Sequence, residues 1–203
     1  NVPDDAIVAV DTGHAGMWMG GMFDLRSPKQ SYIRSAGHLG WAFPAGIGAK
    51  LAAPERPVVV FTGDAGFWYH IGEIETAVRW RANMVTIVNN NSGGNQSKRG
   101  FDRVYGGQQT EQALELWTYT KVNFARVAEE IGAIGMRVER PADFAPALDW
   151  SAYPGAGGGI CQISNLTALT PPVPAVVLAE LTRLSDAISA RLPDVGNLFN
   201  HYP

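Results

Sequence analysis

The fold is decided by one stretch, Arg56 to Gln96, which reads RPVVVFTGDAGFWYHIGEIETAVRWRANMVTIVNNNSGGNQ. Val58 to Thr62 is a short, apolar, β-branched run, typical of a strand that is buried on both faces. It ends in a turn of small residues, Gly63 to Gly66, that carries one carboxylate. The apolar positions that follow have the spacing of one helix face, namely Ile71, Ile74 and Val78.

A second apolar strand, Met84 to Val88, leads directly into the polar tract Asn89-Asn90-Asn91-Ser92-Gly93-Gly94. This order of strand, turn, helix and strand predicts two parallel strands joined by a right-handed crossover. The carboxyl ends of parallel strands meet at one edge of a sheet, where open α/β folds bind their ligands. We therefore expect the carboxylate and the amides to lie together at a ligand site.

The residue types at this edge favour a cation bound with a phosphate. Asp64 supplies a carboxylate, and Asn91 supplies an amide oxygen 91 − 64 = 27 positions later. Magnesium prefers such oxygen ligands and usually takes phosphate oxygens as well. The backbone N–H groups of Ala65 and Gly66, at the start of the helix, are free to meet an anion. The alternative is an ordinary βαβ unit with a helix-capping Asp and a polar turn, which does not explain three Asn directly behind a buried strand.

The tract Gly63-Asp64-Ala65-Gly66, followed by Asn90-Asn91, resembles the motif of thiamine diphosphate-dependent enzymes, specifically the acetolactate synthase-like family. In that motif Gly-Asp-Gly, or Gly-Asp-Ala in a related form, precedes an Asn pair by a similar interval. The resemblance implies an α/β fold with a three-layer, open, mostly parallel sheet and helices on both faces. It also implies Mg²⁺ and thiamine diphosphate as cofactors, with the metal held by Asp64, the Asn91 side chain and the backbone carbonyl of Gly93. The triple Asn permits a register shifted by one residue, and the family spacing favours Asn91.

The same resemblance implies the rest of the cofactor site. The turn after the first predicted strand, Ala6 to Val10, would contact the phosphates, and its His14 would alternatively be solvated or capping. Gly37 would accept the cofactor's exocyclic amine, and Leu39 would be an apolar wedge under the bent cofactor or simply anchor its helix. Residues after the metal loop, including Gln96, would cover the cofactor. The complete predicted cofactor set is Thr12, Gly13, His14, Gly37, Leu39, Asp64, Ala65, Gly66, Asn91, Gly93, Gly94 and Asn95.

Composition excludes several classes of protein. The net charge of −3 and the pI near 5.8 argue against a nucleic-acid-binding protein. No apolar run approaches the length of about 20 residues needed to cross a bilayer. The single cysteine, Cys161, cannot form an internal disulfide, which favours the cytoplasm.

The 203 residues suit one α/β domain. The resemblance covers residues 1–150 as the diphosphate-binding (PP) domain, and residues 151–203 form a divergent segment that we expect to complete the same domain. Within that segment, Ile160 to Ile163 is the candidate strand and Ala175 to Leu192 the candidate helix. Residues 92–118 are polar and Gly-rich, which predicts a long functional loop. The opening Asn1-Val2-Pro3-Asp4-Asp5 is typical of an inter-domain linker or of a trimmed N-terminus.

The resemblance also implies a function in which this chain is half of an active site. The enzyme would decarboxylate a 2-oxo acid and ligate the product to an acceptor, as a homo- or hetero-oligomer (dimer or tetramer). The catalytic Glu would lie on a pyrimidine-binding domain, on another chain or in a missing portion, so no catalytic residue is assigned here. Alternatives are a decarboxylase or lyase of the oxalyl-CoA decarboxylase or benzaldehyde lyase type, and a non-catalytic binding or regulatory relative.

Overall fold

Six parallel strands form one open sheet. In the computed structural model, residues 2–148 and 159–164 are described. The strands are β1 (Ile7–Val10), β2 (Ser31–Arg34), β3 (Val58–Gly63), β4 (Val85–Asn90), β5 (Ile134–Val138) and β6 (Gly159–Ser164). They lie in the order β2-β1-β3-β4-β6-β5, and each neighbouring pair is parallel. The predicted open parallel α/β architecture is therefore confirmed.

Eight α-helices and one 3-10 turn lie within the described residues. The helices are α1 (His14–Met22), α2 (Ala42–Ala52), α3 (Asp64–Tyr69), α4 (Glu73–Arg79), α5 (Asn95–Val104), α6 (Glu111–Glu115), α7 (Phe124–Glu130) and α8 (Phe144–Ala147), with the 3-10 turn at Pro141–Asp143. α7 ends at a glycine, because Gly132 takes a positive φ of 98° and donates its N–H to the Glu129 carbonyl.

The core explains why the central strands read as continuous apolar runs. Alternate residues of β3, Val58 and Val60, belong to the main hydrophobic core, where Phe67 makes edge-on contacts with Phe43 at 5.0 Å and with Phe124 at 5.3 Å between ring centroids. The opposite face of β1 and β3 is also buried, and α1 packs against both strands. Burial on both faces leaves no position for the polar alternation of a one-sided sheet.

The strand order creates a crevice between β1 and β3. The chain leaves β1 toward β2 on one side, and β3 continues the sheet on the other side. At such a reversal the two following loops diverge at the carboxyl ends of the strands, which is where doubly wound folds bind ligands. Asp11 follows β1 and Asp64 follows β3, so both carboxylates stand at this crevice.

Two predictions of local structure were wrong. The helical pattern after β3 is two helices, α3 and α4, separated at His70–Gly72. The segment 92–118 is not one loop, because it contains α5 and α6. Within this segment, Phe101 stacks on Tyr105 at 4.3 Å between ring centroids and lies 5.8 Å from Trp117.

The last described strand, β6, begins after residue 150 and lies between β4 and β5. Its register pairs Ile87 with Cys161 on one side and Met136 with Cys161 on the other. The predicted strand Ile160 to Ile163 is thus confirmed as part of β6, and this part of the divergent segment belongs to the same sheet. The predicted helix Ala175 to Leu192 lies outside the described residues, and the boundary near residue 150 stays a prediction.

Candidate functional site

A cavity of about 280 Å³ opens at the carboxyl ends of β1, β3 and β4. Eleven of the twelve predicted cofactor residues line it: Thr12, Gly13, His14, Leu39, Asp64, Ala65, Gly66, Asn91, Gly93, Gly94 and Asn95. The exception is Gly37, which is exposed in the loop before α2 and does not line the cavity. The chain thus brings together residues that are up to 95 − 12 = 83 positions apart.

Asp64 joins two of the walls of this cavity. It is the first residue of α3 and only 3% exposed. One carboxylate oxygen accepts the N–H of Ala65 at 2.9 Å, and the other accepts the N–H of Gly93 at 2.9 Å. Burial raises the pKa of Asp64, and the backbone hydrogen bonds from Gly93 and Ala65 oppose that rise. The carboxylate therefore spans the ends of β3 and β4.

The three consecutive Asn residues divide into two roles. The side chain of Asn90 donates to the Val122 carbonyl at 2.9 Å and accepts the Ser92 N–H at 3.1 Å, so it fixes the backbone before α7. Asn89 and Asn91 both line the cavity, Asn89 buried and Asn91 exposed. The alternation of side chains along a strand explains this pattern. The sequence prediction selected Asn91 and missed Asn89.

The loop after β4 is held by the segment around Trp117 as well as by Asp64. The N–H of Gly94 donates to the Trp117 carbonyl at 2.8 Å, and the N–H of Tyr119 donates to the Ser92 carbonyl at 2.8 Å. A Cβ atom on Gly93 would lie 2.6 Å from the Trp117 carbonyl oxygen, so only glycine fits there. The Gly93 carbonyl accepts the Asn95 N–H at 3.0 Å, and a carbonyl oxygen has a second lone pair for another partner.

The turn after β1 forms the opposite wall. Gly13 takes a positive φ of 84° and precedes α1 without a capping side chain. Gly13, His14 and Ala15 line the cavity, so it lies at the start of a helix whose first N–H groups have no partner within the helix. His14 stacks on Trp18 at 5.7 Å. Burial lowers the pKa of His14, and the charge of Arg99 lowers it further. A neutral imidazole at this position can still donate one hydrogen bond to an anion.

Besides Asn89, sequence reasoning missed three residues of functional interest, Trp117, Tyr119 and Asp11. Trp117 and Tyr119 line the cavity together with Tyr69, but they lie in a loop pattern that carries no local signal. Burial raises the pKa of Tyr119, and the Asp64 carboxylate raises it further. Asp11 is 1% exposed and accepts hydrogen bonds from the turn after β1, from the loop before α2 and from the end of β3. Its signal was available, because a carboxylate directly after a buried strand repeats the placement of Asp64.

The comparisons with known proteins identify the family. The family described as "Thiamine pyrophosphate enzyme, C-terminal TPP binding domain" matches residues 11–161. The chain belongs to that family. Among relatives of this thiamine pyrophosphate-binding domain, acetolactate synthase of Bacillus subtilis (strain 168) is 34% identical over 148 residues, covering 72% of this chain and 25% of that protein. Sulfoacetaldehyde acetyltransferase of Castellaniella defragrans is 32% identical over 148 residues, covering 72% and 24% respectively.

A solved structure shares the fold of the domain. The thiamine diphosphate-dependent 4-hydroxybenzoylformate decarboxylase of Rhodococcus jostii RHA1 matches with a TM-score of 0.66 and 29% identity, covering 80% of this chain and 29% of that one. The predicted family resemblance is confirmed. The chain spans about a quarter of the length of the curated relatives it matches. None of the helices in the described residues is long and apolar enough to span a membrane.

Proposed function

We propose that this domain supplies the Mg²⁺ and diphosphate half of the active site of an acetolactate synthase-like enzyme, which decarboxylates a 2-oxo acid and ligates the product to an acceptor. The observation that carries the proposal is the hydrogen bond from the Gly93 N–H to the Asp64 carboxylate at 2.9 Å, with Asn91 on the same cavity. It supports the pairing of the two motif halves that the sequence places 27 positions apart (91 − 64).

The residues present fit the proposed ligands. Asp64, Asn91 and the Gly93 carbonyl would supply hard oxygen atoms to Mg²⁺, whose remaining positions are usually filled by phosphate oxygens and water. Among the described residues, no three His, Cys, Asp or Glu side chains are grouped so as to hold a metal, so the cation would depend on the amide, the carbonyl and the phosphates. The N–H groups at the start of α1 would meet the phosphates, and Leu39 would contact the apolar part of the cofactor.

Thiamine diphosphate, when bound, supplies the electron sink for carbanion chemistry, and the protein supplies binding and orientation. Asp64 and the loop after β4 would fix the anionic end of the cofactor. Trp117 and Tyr119 would exclude water from one side of it, since both line the cavity. We assign no general acid or base to this chain. That role would fall to a Glu on a pyrimidine-binding domain, carried by a partner chain or another portion of the enzyme in a dimer or tetramer.

A second candidate function is decarboxylation without ligation. The structural match to a thiamine diphosphate-dependent 4-hydroxybenzoylformate decarboxylase favours it. Both candidates use the same cofactor site, so they differ in the substrate and the fate of the product. Product analysis of the assembled enzyme, given a 2-oxo acid with and without an acceptor 2-oxo acid, distinguishes aldehyde release from ligation.

Titration with thiamine diphosphate tests the site itself. Binding is measured by isothermal calorimetry with Mg²⁺ and again with a chelator. We expect binding only with the metal, and its loss in Asp64→Ala and Asn91→Ala. Glu75→Ala is the matched control, since Glu75 lies on α4 away from the cavity and forms an exposed ion pair with Arg79 at 2.9 Å. Equal affinity in Asp64→Ala and wild type would remove the site assignment, and no binding by the wild type would leave only a non-catalytic relative. The intact mass of the native complex would reveal the proposed partner.

A further inference from the structure

Three segments around the cavity meet at one buried carboxylate. Asp11 accepts the N–H of Thr12 at 2.8 Å and the N–H of Gly40 at 2.9 Å on one oxygen. Its other oxygen accepts the hydroxyl of Thr62 at 3.0 Å and the N–H of Ala42 at 3.4 Å. These donors belong to the turn after β1, to the loop before α2 with the first residue of that helix, and to the end of β3, three segments that are far apart in sequence.

We propose that Asp11 is a positioning residue that sets the spacing of these three segments and thereby controls cofactor affinity without touching the cofactor. The inference rests on the proposed function of the cavity. Asp11 is 1% exposed and does not line the cavity, whereas its neighbour Thr12 does. Any effect of Asp11 on a ligand must therefore pass through the three segments that donate hydrogen bonds to it.

Only a carboxylate satisfies this arrangement. An ionised carboxylate accepts hydrogen bonds on both oxygens and donates none. Asparagine offers one such oxygen and turns an N–H₂ group toward the other pair of donors. The Thr62 hydroxyl can adapt, because it already lies 3.1 Å from the Gly63 carbonyl and can accept a bond in turn. The Ala42 N–H cannot adapt, so Asp11→Asn loses part of the contact set and Asp11→Ala loses all of it.

The packing around Asp11 transmits a displacement to the cavity. A Cβ atom on Gly66 would lie 2.9 Å from both the Asp11 carboxylate and the Thr62 hydroxyl, so the start of α3 rests directly on this pair. On the other side, Gly40 has a φ of 92°, and a Cβ atom there would lie 2.9 Å from Cβ of Tyr69. Gly66 and Tyr69 both line the cavity. A shift of Asp11 therefore moves two walls at once.

The test compares two variants of Asp11 with a control of similar burial. The full chain is prepared as Asp11→Asn, Asp11→Ala and Val8→Ala. Val8 is a fully buried residue of β1, the strand that precedes Asp11, and does not line the cavity, so its truncation costs stability without removing a contact to the three segments. Affinity for thiamine diphosphate with Mg²⁺ is measured by calorimetry at a temperature where circular dichroism shows each variant folded. Hydrogen exchange of the Thr12 and Gly40 amides is followed in the absence of ligand.

We expect affinity to fall about 10-fold in Asp11→Asn and about 100-fold in Asp11→Ala, the range seen when outer-shell partners of a metal site are removed. Val8→Ala should keep the wild-type affinity, and only the Asp11 variants should speed exchange at Thr12 and Gly40. Equal affinities in Asp11→Ala and Val8→Ala would overturn the proposal. If Asp11→Ala does not fold, Asp11→Asn decides by the same criterion. If the wild type binds no cofactor, the proposed function fails, and unchanged exchange at the two amides would separately overturn the positioning role.

Discussion

Two glycines of α2 should respond in opposite directions to the same substitution. A Cβ atom on Gly46 would lie 2.3 Å from Cγ2 of Val60 and 3.3 Å from Sδ of Met84, whereas nothing lies within 4 Å of a Cβ atom on Gly48. Both positions are in the interior of the same helix. The pair therefore separates the effect of the helix backbone from the effect of packing against the sheet.

The magnitudes follow from these distances. Alanine in place of glycine inside a helix stabilises it by about 0.5–1 kcal/mol, so Gly48→Ala should raise the free energy of unfolding by that amount. The same gain applies to Gly46→Ala, but its new methyl group overlaps Val60 far inside the usual carbon–carbon separation of about 3.5–4.0 Å. Val60 is fully buried and its χ1 is stiff, so α2 must move away from β3. Overpacking of this kind costs about 1–3 kcal/mol, and we expect a net loss of about 1–2 kcal/mol.

Urea unfolding followed by circular dichroism, without ligand, measures both changes. The midpoint should rise for Gly48→Ala and fall for Gly46→Ala, with similar slopes. Stabilisation by both substitutions would show that α2 does not approach β3 as described. It would also weaken the account of the cavity, because α2 follows directly from the loop that carries Leu39 and Gly40.

Three further outcomes are expected. Asn90→Ala removes the hydrogen bond to the Val122 carbonyl and should lower the free energy of unfolding by about 1–3 kcal/mol. Asn91 is exposed, so Asn91→Ala should change the free energy of unfolding by less than about 0.5 kcal/mol. Equal losses for the two variants in urea unfolding would contradict their different roles. Burial raises the pKa of Asp64, so the folded chain binds that proton more tightly than the unfolded chain. Its contribution to stability is therefore greatest below the ordinary carboxyl pKa of about 4 and declines as pH rises through the raised value. Urea midpoints across pH, with a chelator present, should show this decline in the wild type and not in Asp64→Asn, and parallel curves would argue against it. Arg79→Ala should leave the midpoint unchanged, because its ion pair lies on the exposed surface, and a clear drop would mean that the pair is stabilising after all.

Local sequence patterns predicted the central unit well. Val58 to Thr62 and Met84 to Val88 are recognisable because a strand buried on both faces is a nearly continuous apolar, β-branched run, and the observed strands differ from them only at the ends. The meeting of Asp64 with the loop after β4 then follows from the geometry of parallel strands. These predictions succeeded because each depends on one short segment and a general rule of sheet topology.

The missed features depend on contacts between distant segments. The helices α5 and α6 carry few apolar side chains, so their sequence shows no clear apolar helix face. The role of Asp11 depends on which segments donate hydrogen bonds to it. Three of its donors, Gly40, Ala42 and Thr62, are 40 − 11 = 29, 42 − 11 = 31 and 62 − 11 = 51 positions away in sequence. No single-segment pattern reports such convergence. Gly37 is the reverse case. The family resemblance implies that it contacts the cofactor, but Gly37 does not line the described cavity, and its role stays a prediction.

The position of β6 has a consequence for how this sheet is assembled. It is the last described strand in the chain, yet it fills the gap between two strands that are synthesised before it. Until residue 164 has left the ribosome, β4 and β5 present facing unpaired edges, which are sites for wrong pairing. Long-range parallel pairing of this kind is slow to form. Truncation of the chain ahead of Gly159 should therefore give an aggregating product rather than a smaller folded domain.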